Sequence, residues 1–307
     1  MQHYWSLEPV QLKQAWLTIG AYDGVHRGHQ TIIRQMTAGA HAEGAPAVVL
    51  TFHPHPSRIV RGRTGPLYLT SPEQRAELLG DLGVDVVITH PFNTETANLP
   101  GPAFLELLEQ HLHMRTLWVG YDFAMGHGRD TDVAALRSLS SQFGYQLYVV
   151  PEVLDGGEPI SSSRIRELLL AGEVAAAARD LGRPYRISGK VIPGDGRGRT
   201  IGVPTANLEV WEEQVIPERG VYACRAEVDG QRWMAAVNIG IRPTFDGKSA
   251  ITHVEAHLLD AQLDLYGKTL NLEFIERLRG EQKFPDVQSL VNQIQQDIAK
   301  TRRLLQK

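Results

Sequence analysis

The sequence predicts two domains, an α/β domain with a parallel sheet followed by an antiparallel β domain. Three observations predict them. Short apolar runs alternate with helical patterns in the first half, whereas alternating strand patterns and turn signals fill the second half. The length of 307 residues also fits two domains of roughly 100–200 residues each. We expect the boundary near Gly182, which gives domains over 1–182 and 183–307.

Five runs in the first half are rich in β-branched residues and almost uncharged, as is typical of strands buried on both faces. They are AWLTIG (15–20), AVVLTF (47–52), VDVVIT (84–89), TLWVG (116–120) and YQLYVV (145–150). Strands that alternate with helices favour a parallel sheet with right-handed crossovers, a Rossmann-like arrangement. Such sheets bind ligands at the carboxyl ends of their strands.

Helical patterns lie between these runs, near 28–40, 72–82, 101–112 and 132–143. The second pattern begins with Ser71 as N-cap and Pro72 at the first helical position. The third carries an apolar stripe of Phe104, Leu107, Leu108 and Leu112. Two more helices, separated by Gly172, are expected just before the domain boundary.

The strand patterns of the second half are short and alternating: VYACRAEV (221–228), WMAAVNIG (233–240), ITHVEAHLL (251–259) and TLNLEFIERL (269–278). Asp229-Gly230 and Asp246-Gly247 are hairpin signals. These features indicate an antiparallel barrel or sandwich. A helix near 286–305 closes the chain, with an apolar face of Val287, Leu290, Val291, Ile294 and Ile298.

Composition excludes several classes of protein. The net charge of -4 and the interspersed acids and bases do not favour a nucleic-acid groove. A single cysteine, Cys224, excludes internal disulfides and four-cysteine zinc sites, and it fits a reducing cytoplasm. No apolar run approaches the roughly 20 residues of a membrane span, and the N-terminus lacks the pattern of a secretory signal. We therefore expect a cytoplasmic protein; its oligomeric state stays open.

The segment GAYDGVHRGHQ (20–30) follows the first strand and precedes a helix. Glycines allow a sharp turn and a close approach to a ligand, and a helix N-terminus attracts anions. His26 and His29 could donate hydrogen bonds to phosphate oxygens, so the segment predicts a phosphate site with Gly20, Asp23, Gly24 and Gly28. Two alternatives are a zinc site shared with HPHP (53–56) and a plain glycine turn with surface histidines. We expect no zinc, because loose histidine clusters seldom prove to be sites.

A second anion site is predicted at ISSSRIR (160–166). The pattern places three hydroxyls before a helix, with Arg166 in its first turn. Ser162, Ser163 and the cations Arg164 and Arg166 could hold phosphate. The simpler interpretation is a capped helix start, with Glu167 completing a capping box.

The segment GDGRGRTIGVPTANLE (194–209) contains glycines and arginines, including Gly196 and Arg199, that are typical of a loop covering phosphates. Thr205 and Asn207 leave the same face of an extended segment. Their hydroxyl and amide oxygens suit Mg²⁺ carrying a nucleotide. GKS (247–249) and GKT (267–269) lack the upstream glycine of a phosphate loop, so we interpret them as turns.

Glu255 lies in the alternating segment THVEAHLLD (252–260). Val254, Ala256 and Leu258 point to one side of this strand, and Glu255 and His257 to the other. Glu255 is either a solvated side chain or a general base that takes a proton from an attacking hydroxyl.

The motif GAYDGVHRGH followed by ISSSRIR resembles the nucleotidylyltransferase superfamily. Together with TFHPHP (51–56) and GYDFAMGHGR (120–129), it is similar to the adenylyltransferase half of bacterial bifunctional riboflavin kinase/FAD synthetases. The second half resembles their riboflavin kinase domain over its whole length, from GRPYRISGKVIPGDGRGRTIGVPTANL to FPDVQSLVNQIQQDI.

The resemblance implies a six-stranded antiparallel barrel and two activities. Riboflavin and ATP give FMN, and FMN and ATP give FAD and pyrophosphate. It implies that Thr205 and Asn207 bind Mg-nucleotide and that Glu255 activates the riboflavin hydroxyl. Flavin-binding residues carried over in the first half are His55, Pro56, Asp122 and Phe123.

The first half departs from the family pattern. Tyr22 replaces a usual phenylalanine, and Ala124, Met125 and Thr131 replace a usual arginine, phenylalanine and glycine. Loss of the cation at 124 could slow adenylylation. Two other interpretations therefore stay open: a nucleotidylyltransferase for another phosphate, and a non-catalytic regulator that binds flavin.

Overall fold

A computed structural model of the chain describes residues 1–194, 198, 202–243 and 250–306. The chain forms two compact units. The first comprises Met1–Gly65 and Leu69–Ser162, and the second comprises Pro66–Tyr68 and Ser163–Lys307. Gly182, the expected boundary, has a positive φ of 72° and caps the C-terminus of a helix. A functional boundary there stays a prediction.

The first unit contains a six-stranded parallel sheet. Its strands are β1 (Gln2–Tyr4), β2 (Trp16–Ile19), β3 (Ala47–His53), β4 (Val86–Pro91), β5 (Thr116–Gly120) and, after the short strands β6 (Ala124–Met125) and β7 (Thr131–Asp132), β8 (Gln146–Val150). The order across the sheet is β1-β4-β3-β2-β5-β8, and every pair is parallel. All five predicted strands and the parallel sheet are confirmed. The edge strand β1 was not predicted. A small hairpin follows, of β9 (Leu154–Asp155) and β10 (Glu158–Pro159).

The helices of this unit are α1 (Arg27–Ala42), α2 (Pro56–Arg61), α3 (Pro72–Gly80), α4 (Thr94–Asn98), α5 (Gly101–Leu112) and α6 (Val133–Phe143). Ser71 caps α3 as predicted and forms a capping box with Gln74. The buried stripe of α5 differs slightly from the prediction. Leu105 is fully buried beside Phe104, Leu108 and Leu112, whereas Leu107 is only partly buried.

The strand order reverses between β2 and β5. After β2, the strands β3 and β4 are added on one side of it, whereas β5 and β8 are added on the other side. In a parallel sheet the crevice at such a reversal, beyond the carboxyl ends of the strands, is where ligands bind. The segments that follow Ile19 and Gly120 flank this crevice. The sheet therefore places GAYDGVHRGH beside the crevice where a ligand would bind.

The second unit is a closed six-stranded antiparallel barrel, in the order β11-β12-β15-β14-β13-β16. Helices α7 (Ser162–Leu170) and α8 (Val174–Leu181) precede it. Its strands are β11 (Tyr185–Ile192), β12 (Ala206–Val210), β13 (Gly220–Val228), β14 (Gln231–Pro243), β15 (Ala250–Leu258) and β16 (Thr269–Arg279), and α9 (Val287–Leu305) follows. Of the two predicted architectures, the barrel is therefore the one that forms.

Local signals of the barrel are confirmed in three places. Asp229 and Gly230 have positive φ angles and join β13 to β14 in a two-residue turn. Val254, Ala256 and Leu258 are buried, whereas Glu255 and His257 lie on the opposite face. Gly267 of the GKT segment lies in a turn, and GKS lies outside the described residues.

One predicted helix start and one predicted apolar face need correction. Helix α7 begins at Ser162, so Ser162 and Ser163 are helical and Arg166 is the fifth helical residue rather than part of the first turn. In α9, Val287 is 63% exposed, and the apolar face begins at Leu290. Both errors arise at helix ends, where periodicity carries little information.

The barrel core predicts a stability change for one aromatic residue. Phe274 is completely buried and packs edge-on against Tyr222, with ring centroids 5.3 Å apart. We expect Phe274→Ala to lower the free energy of unfolding by about 3–5 kcal/mol, because the buried ring leaves a cavity. The exposed control Glu276→Ala should change it by less than about 0.5 kcal/mol. Urea unfolding followed by circular dichroism measures both, and equal effects would contradict the assignment of Phe274 to the core.

Candidate active sites in the two units

The turn after β2 has an unusual backbone. Tyr22, Gly24 and Val25 all adopt positive φ angles, of 47°, 80° and 42°. This region is unfavourable for a β-branched residue such as Val25, so surrounding contacts must hold the turn. The chain then enters α1 at Arg27, with His26 as its N-cap.

Asp23 supplies the strongest of these contacts. Its carboxylate is completely buried and accepts hydrogen bonds from the backbone amides of Leu69, at 2.9 and 3.1 Å, and Thr70, at 3.2 Å. The Thr70 hydroxyl accepts from the amide of Gly24 at 3.2 Å. Ser162 Oγ donates to the Asp23 carbonyl at 2.8 Å. In this structure the carboxylate binds the protein's own amides and so fixes the turn.

His26 and His29 are brought together at the N-terminus of α1. Their rings stack with centroids 3.6 Å apart, and His26 Nδ1 accepts from the backbone amide of His29 at 3.4 Å. Tyr22 contacts the His29 ring edge-on at 5.0 Å. Gly28 leaves room beside them, because a Cβ there would make a tight contact of 3.1 Å with the His26 ring.

The imidazole of His29 is neutral at physiological pH. Burial, followed by the positive charges of His26 and Arg75, lowers the pKa of His29 well below its usual range. Its Nδ1 atom is buried and has no hydrogen-bond partner within the described parts of the chain. A neutral ring can present an N–H donor to an incoming oxygen without a permanent charge.

The residues predicted for the second anion site do not all belong to one unit. Ser162 belongs to the first unit, and Ser163 and Arg166 belong to the second. Within the second unit, Arg166 Nε donates to the carbonyl of Leu67. Arg164 pairs with the buried Asp180 at 3.1 Å, which neutralises this predicted phosphate ligand.

The residues predicted to bind flavin follow two strands at the same edge of the sheet. His55 comes after β3 and caps α2, where its Nδ1 accepts from the amide of Ser57 at 3.1 Å; Pro56 is the first residue of that helix. Asp122 and Phe123 come after β5. Arg129 holds this second segment by donating to the Asp122 carbonyl at 2.9 Å.

The departures from the family pattern have local explanations. The additional hydroxyl of Tyr22 hydrogen-bonds to the buried Thr18. Thr131 occupies space that Gly101 leaves open, since a Cβ on Gly101 would lie 2.0 Å from Thr131 Oγ1. Ala124 and Met125 form β6, which pairs with β7. The contacts of the described residues give no explanation for alanine at position 124.

The barrel carries its own row of polar side chains. Strand register places Asn207 of β12 opposite Glu255 of β15, and Glu255 opposite Asn238 of β14. Residues directly opposite each other in antiparallel strands have Cβ atoms about 4.5–5.5 Å apart. Three polar groups from distant parts of the sequence therefore lie side by side on the barrel surface.

A cavity of about 350 Å³ lies over this row. Thr205, Asn238 and Glu255 contribute polar groups to its wall, and Leu290 and Ile294 of α9 contribute an apolar side. This combination of a few convergent polar groups with apolar walls is typical of a small-molecule site.

Among the described glycines before Thr205, Gly194 and Gly198 have their Cα atoms near Asn207 and Thr205, respectively. A Cβ on Gly194 would lie 2.1 Å from Asn207 Nδ2, and one on Gly198 would lie 3.3 Å from Thr205 Oγ1. Asn207 Oδ1 is buried and has no hydrogen-bond partner among the described residues. Gly196 and Arg199, two predicted phosphate ligands, lie outside the described residues.

Sequence reasoning missed four residues around this cavity. Asn238 was detectable as a lone amide in an apolar strand. His257 Nδ1 lies 2.8 Å from the Pro204 carbonyl, which fixes the segment before Thr205. Arg279 and Asp297 form an ion pair at 2.9 Å that fastens α9 to β16. No local pattern predicts that pair, because its partners are distant in sequence.

Two family models match the chain. The FAD synthetase model matches residues 8–164 and the riboflavin kinase model matches residues 181–305. Three proteins named bifunctional riboflavin kinase/FMN adenylyltransferase are similar over nearly the whole chain. The protein of Listeria monocytogenes is 35% identical, and the match covers 95% of this chain and 92% of the relative. The protein of Escherichia coli K12 is 36% identical, and the match covers 92% of this chain and 90% of the relative. The protein of Pseudomonas fluorescens is 38% identical, covering 94% and 92%.

The chain belongs to the bifunctional riboflavin kinase/FMN adenylyltransferase family. It phosphorylates riboflavin to FMN and adenylylates FMN to FAD, and both reactions use ATP with a divalent metal ion. A crystal structure from Streptococcus pneumoniae, titled as a macrolide-efflux protein, has the same fold. It has a TM-score of 0.88 and 30% identity, and covers 98% of both chains.

No helix in the described ranges is long and apolar enough to cross a bilayer. Among the side chains that the structure describes, no three His, Cys, Asp or Glu residues gather as metal ligands.

The lowered pKa of His29 predicts how stability depends on pH. The unfolded chain binds a proton at His29 more readily than the folded chain, so stability falls as the pH drops below the ordinary histidine pKa. We expect the free energy of unfolding of the first unit to decrease between about pH 7 and about pH 5.5, with His29→Gln removing part of that decrease. The exposed His127→Gln serves as control. Identical pH slopes for the wild type and His29→Gln, measured by urea unfolding, would show that His29 does not resist protonation.

Proposed function

We propose that the two reactions are divided between two separate sites. Residues 183–307 carry the riboflavin kinase site around Glu255, and residues 1–182 carry the FMN adenylyltransferase site around the turn 20–29. Two observations support this division. Each family model matches one of these regions, and each region has its own constellation of polar groups at a cavity or strand edge. A cytoplasmic location remains a prediction.

In the kinase reaction, Glu255 acts as general base. It takes the proton from the 5′-hydroxyl of riboflavin as the hydroxyl oxygen attacks the γ-phosphorus of ATP, and ADP leaves. Support comes from the register that places Glu255 between Asn207 and Asn238 beside the cavity of about 350 Å³. The apolar wall of α9 would hold the flavin ring against this row.

Thr205 and Asn207 would hold the divalent metal, which we propose is Mg²⁺. The buried Asn207 Oδ1 lacks a hydrogen-bond partner within the described residues, and the adjacent hydroxyl of Thr205 is exposed. Two such hard oxygen donors fit a small divalent cation. When bound, the ion neutralises negative charge on the nucleotide phosphates. Gly194 and Gly198 let the backbone close over these two side chains.

In the adenylylation, the FMN phosphate attacks the α-phosphorus of ATP and pyrophosphate leaves. FMN is itself the nucleophile, so the protein needs only to align the substrates and stabilise charge. We assign this stabilisation to His26, His29, Ser162, Ser163 and Arg166, with Gly20, Gly24 and Gly28 giving the backbone room. His55, Pro56, Asp122 and Phe123 would bind the flavin. The stacked histidines at the start of α1 carry this assignment.

Glu255→Gln tests the general base. Glutamine keeps the shape of the side chain but cannot accept the proton, so we expect kcat of riboflavin phosphorylation to fall by about 10²–10⁴-fold with little change in KM. Conversion of supplied FMN to FAD should continue at the normal rate. The exposed Glu209→Gln on the same barrel serves as control. Kinase activity of the glutamine variant near the wild-type level would reject Glu255 as the base.

A pair of variants tests the division of labour. His29→Ala should lower FAD formation by at least about 100-fold while riboflavin is still converted to FMN. Asn207→Ala should stop FMN formation while supplied FMN still yields FAD. Chromatographic separation of the three flavins after incubation with ATP and Mg²⁺ measures both. Loss of both activities in a single folded variant would mean that the sites are not separate.

A further inference from the structure

Arg75 places a positive charge in the interior of the first unit. It lies in α3, and its side chain is completely shielded from solvent. Burial of a cation costs more free energy than burial of an apolar side chain of similar size. The same helix buries Ala76 and Leu79 against the core. An apolar residue at position 75 would cover the sheet equally well. The hydrogen bonds of Arg75 must therefore explain why an arginine is buried here.

The guanidinium of Arg75 joins the ends of two neighbouring strands. Nη1 donates to the carbonyl of Ala21 at 2.9 Å, just beyond β2, and Nη2 donates to the carbonyl of Phe52 at 3.2 Å, near the end of β3. The strands β2 and β3 are parallel neighbours, so both carbonyls lie at the carboxyl edge of the sheet. The planar fork of arginine can hold two acceptors in a fixed geometry.

Arg75 belongs to a segment that holds the turn 20–29 at several points. The Ala21 carbonyl accepts from Arg75 and also from Thr51 Oγ1, at 2.9 Å. Further along the turn, the Asp23 carboxylate accepts from the amides of Leu69 and Thr70. Tyr22, with its positive φ, lies between these anchors. The stretch 69–75 thus fixes the place where the chain leaves β2 and reverses.

We propose that Arg75 is a positioning residue for FMN adenylylation. By holding the carbonyls of Ala21 and Phe52, it keeps the turn 20–29 at a constant spacing from the segment 53–56 that follows β3. The inference rests on the proposed function, in which the turn holds ATP phosphates and His55 and Pro56 contact the flavin. Arg75 then sets the distance between the two substrates without touching either.

The charge of Arg75 has a second, separable effect. Among the described residues, the rings of His26 and Tyr22 contact His29, and the charge of Arg75 acts on it. After burial and His26, the charge of Arg75 contributes to the lowered pKa of His29. A neutral residue at position 75 should raise that pKa, whereas lysine should leave it low. Arg75→Met therefore removes both the charge and the planar hydrogen-bonding fork of the guanidinium, whereas Arg75→Lys keeps the charge and removes only the fork.

The experiment compares Arg75→Met, Arg75→Lys and the exposed control Arg137→Met in the full chain. Rates of FAD formation from FMN, FMN formation from riboflavin, thermal unfolding and the NMR titration of His29 are measured for each. We expect Arg75→Met to lower kcat of FAD formation by about 100-fold, with riboflavin phosphorylation within about twofold of wild type, because a displacement near 1 Å has such an effect. Arg75→Lys should also lower kcat of FAD formation, while the pKa of His29 stays low.

Two outcomes would overturn the proposal: FAD formation within about twofold of wild type in either folded variant, or a parallel loss of both activities with the melting temperature. If Arg75→Met does not fold, Arg75→Lys decides by the same criterion. His29→Ala, measured alongside, keeps the two hypotheses apart. Normal FAD formation in His29→Ala rejects the proposed phosphate site. An inactive His29→Ala with active Arg75 variants rejects only the role of Arg75.

Discussion

Hydrogen bonds between neighbouring strands decide which side chains become neighbours in both units of this protein. In the first unit, parallel pairing brings the segments after β2, β3 and β5 to one edge. In the barrel, antiparallel register places Asn207, Glu255 and Asn238 in a row. A shift of one residue in β15 would turn Glu255 into the barrel interior. The set of side chains that come together in each unit thus depends on which strands pair and in which register.

In the proposed function, the two sites would handle phosphate in physically different ways. At the turn 20–29, the backbone and the N-terminus of α1 would hold the phosphates, and His29, with its lowered pKa, would add a donor without a fixed charge. At the barrel, oxygen donors of Thr205 and Asn207 lie beside a cavity with an apolar wall. The first arrangement suits a transfer in which the substrate supplies the nucleophile. The second would provide a base, Glu255, for a hydroxyl that must lose its proton.

Long, periodic elements were predictable from the sequence, and so were the residues of the main motifs. The missed features depend on contacts between distant residues. The strand β1 has three residues and no apolar run, so no period marks it. Asp23 belongs to a predicted phosphate motif, but no local signal reveals the partners of its carboxylate, the backbone amides of Leu69 and Thr70. Arg75 occupies a helical position where an exposed charge is the ordinary expectation.

The close contact between Gly101 and Thr131 makes the residue types at these two positions depend on each other. The side chain of Thr131 fills the volume that a Cβ at 101 would need, since that Cβ would lie 2.0 Å from Thr131 Oγ1. Alanine or any larger residue at 101 would therefore require a smaller residue at 131. The volume at this point of the first unit is shared, and only one of the two positions can fill it.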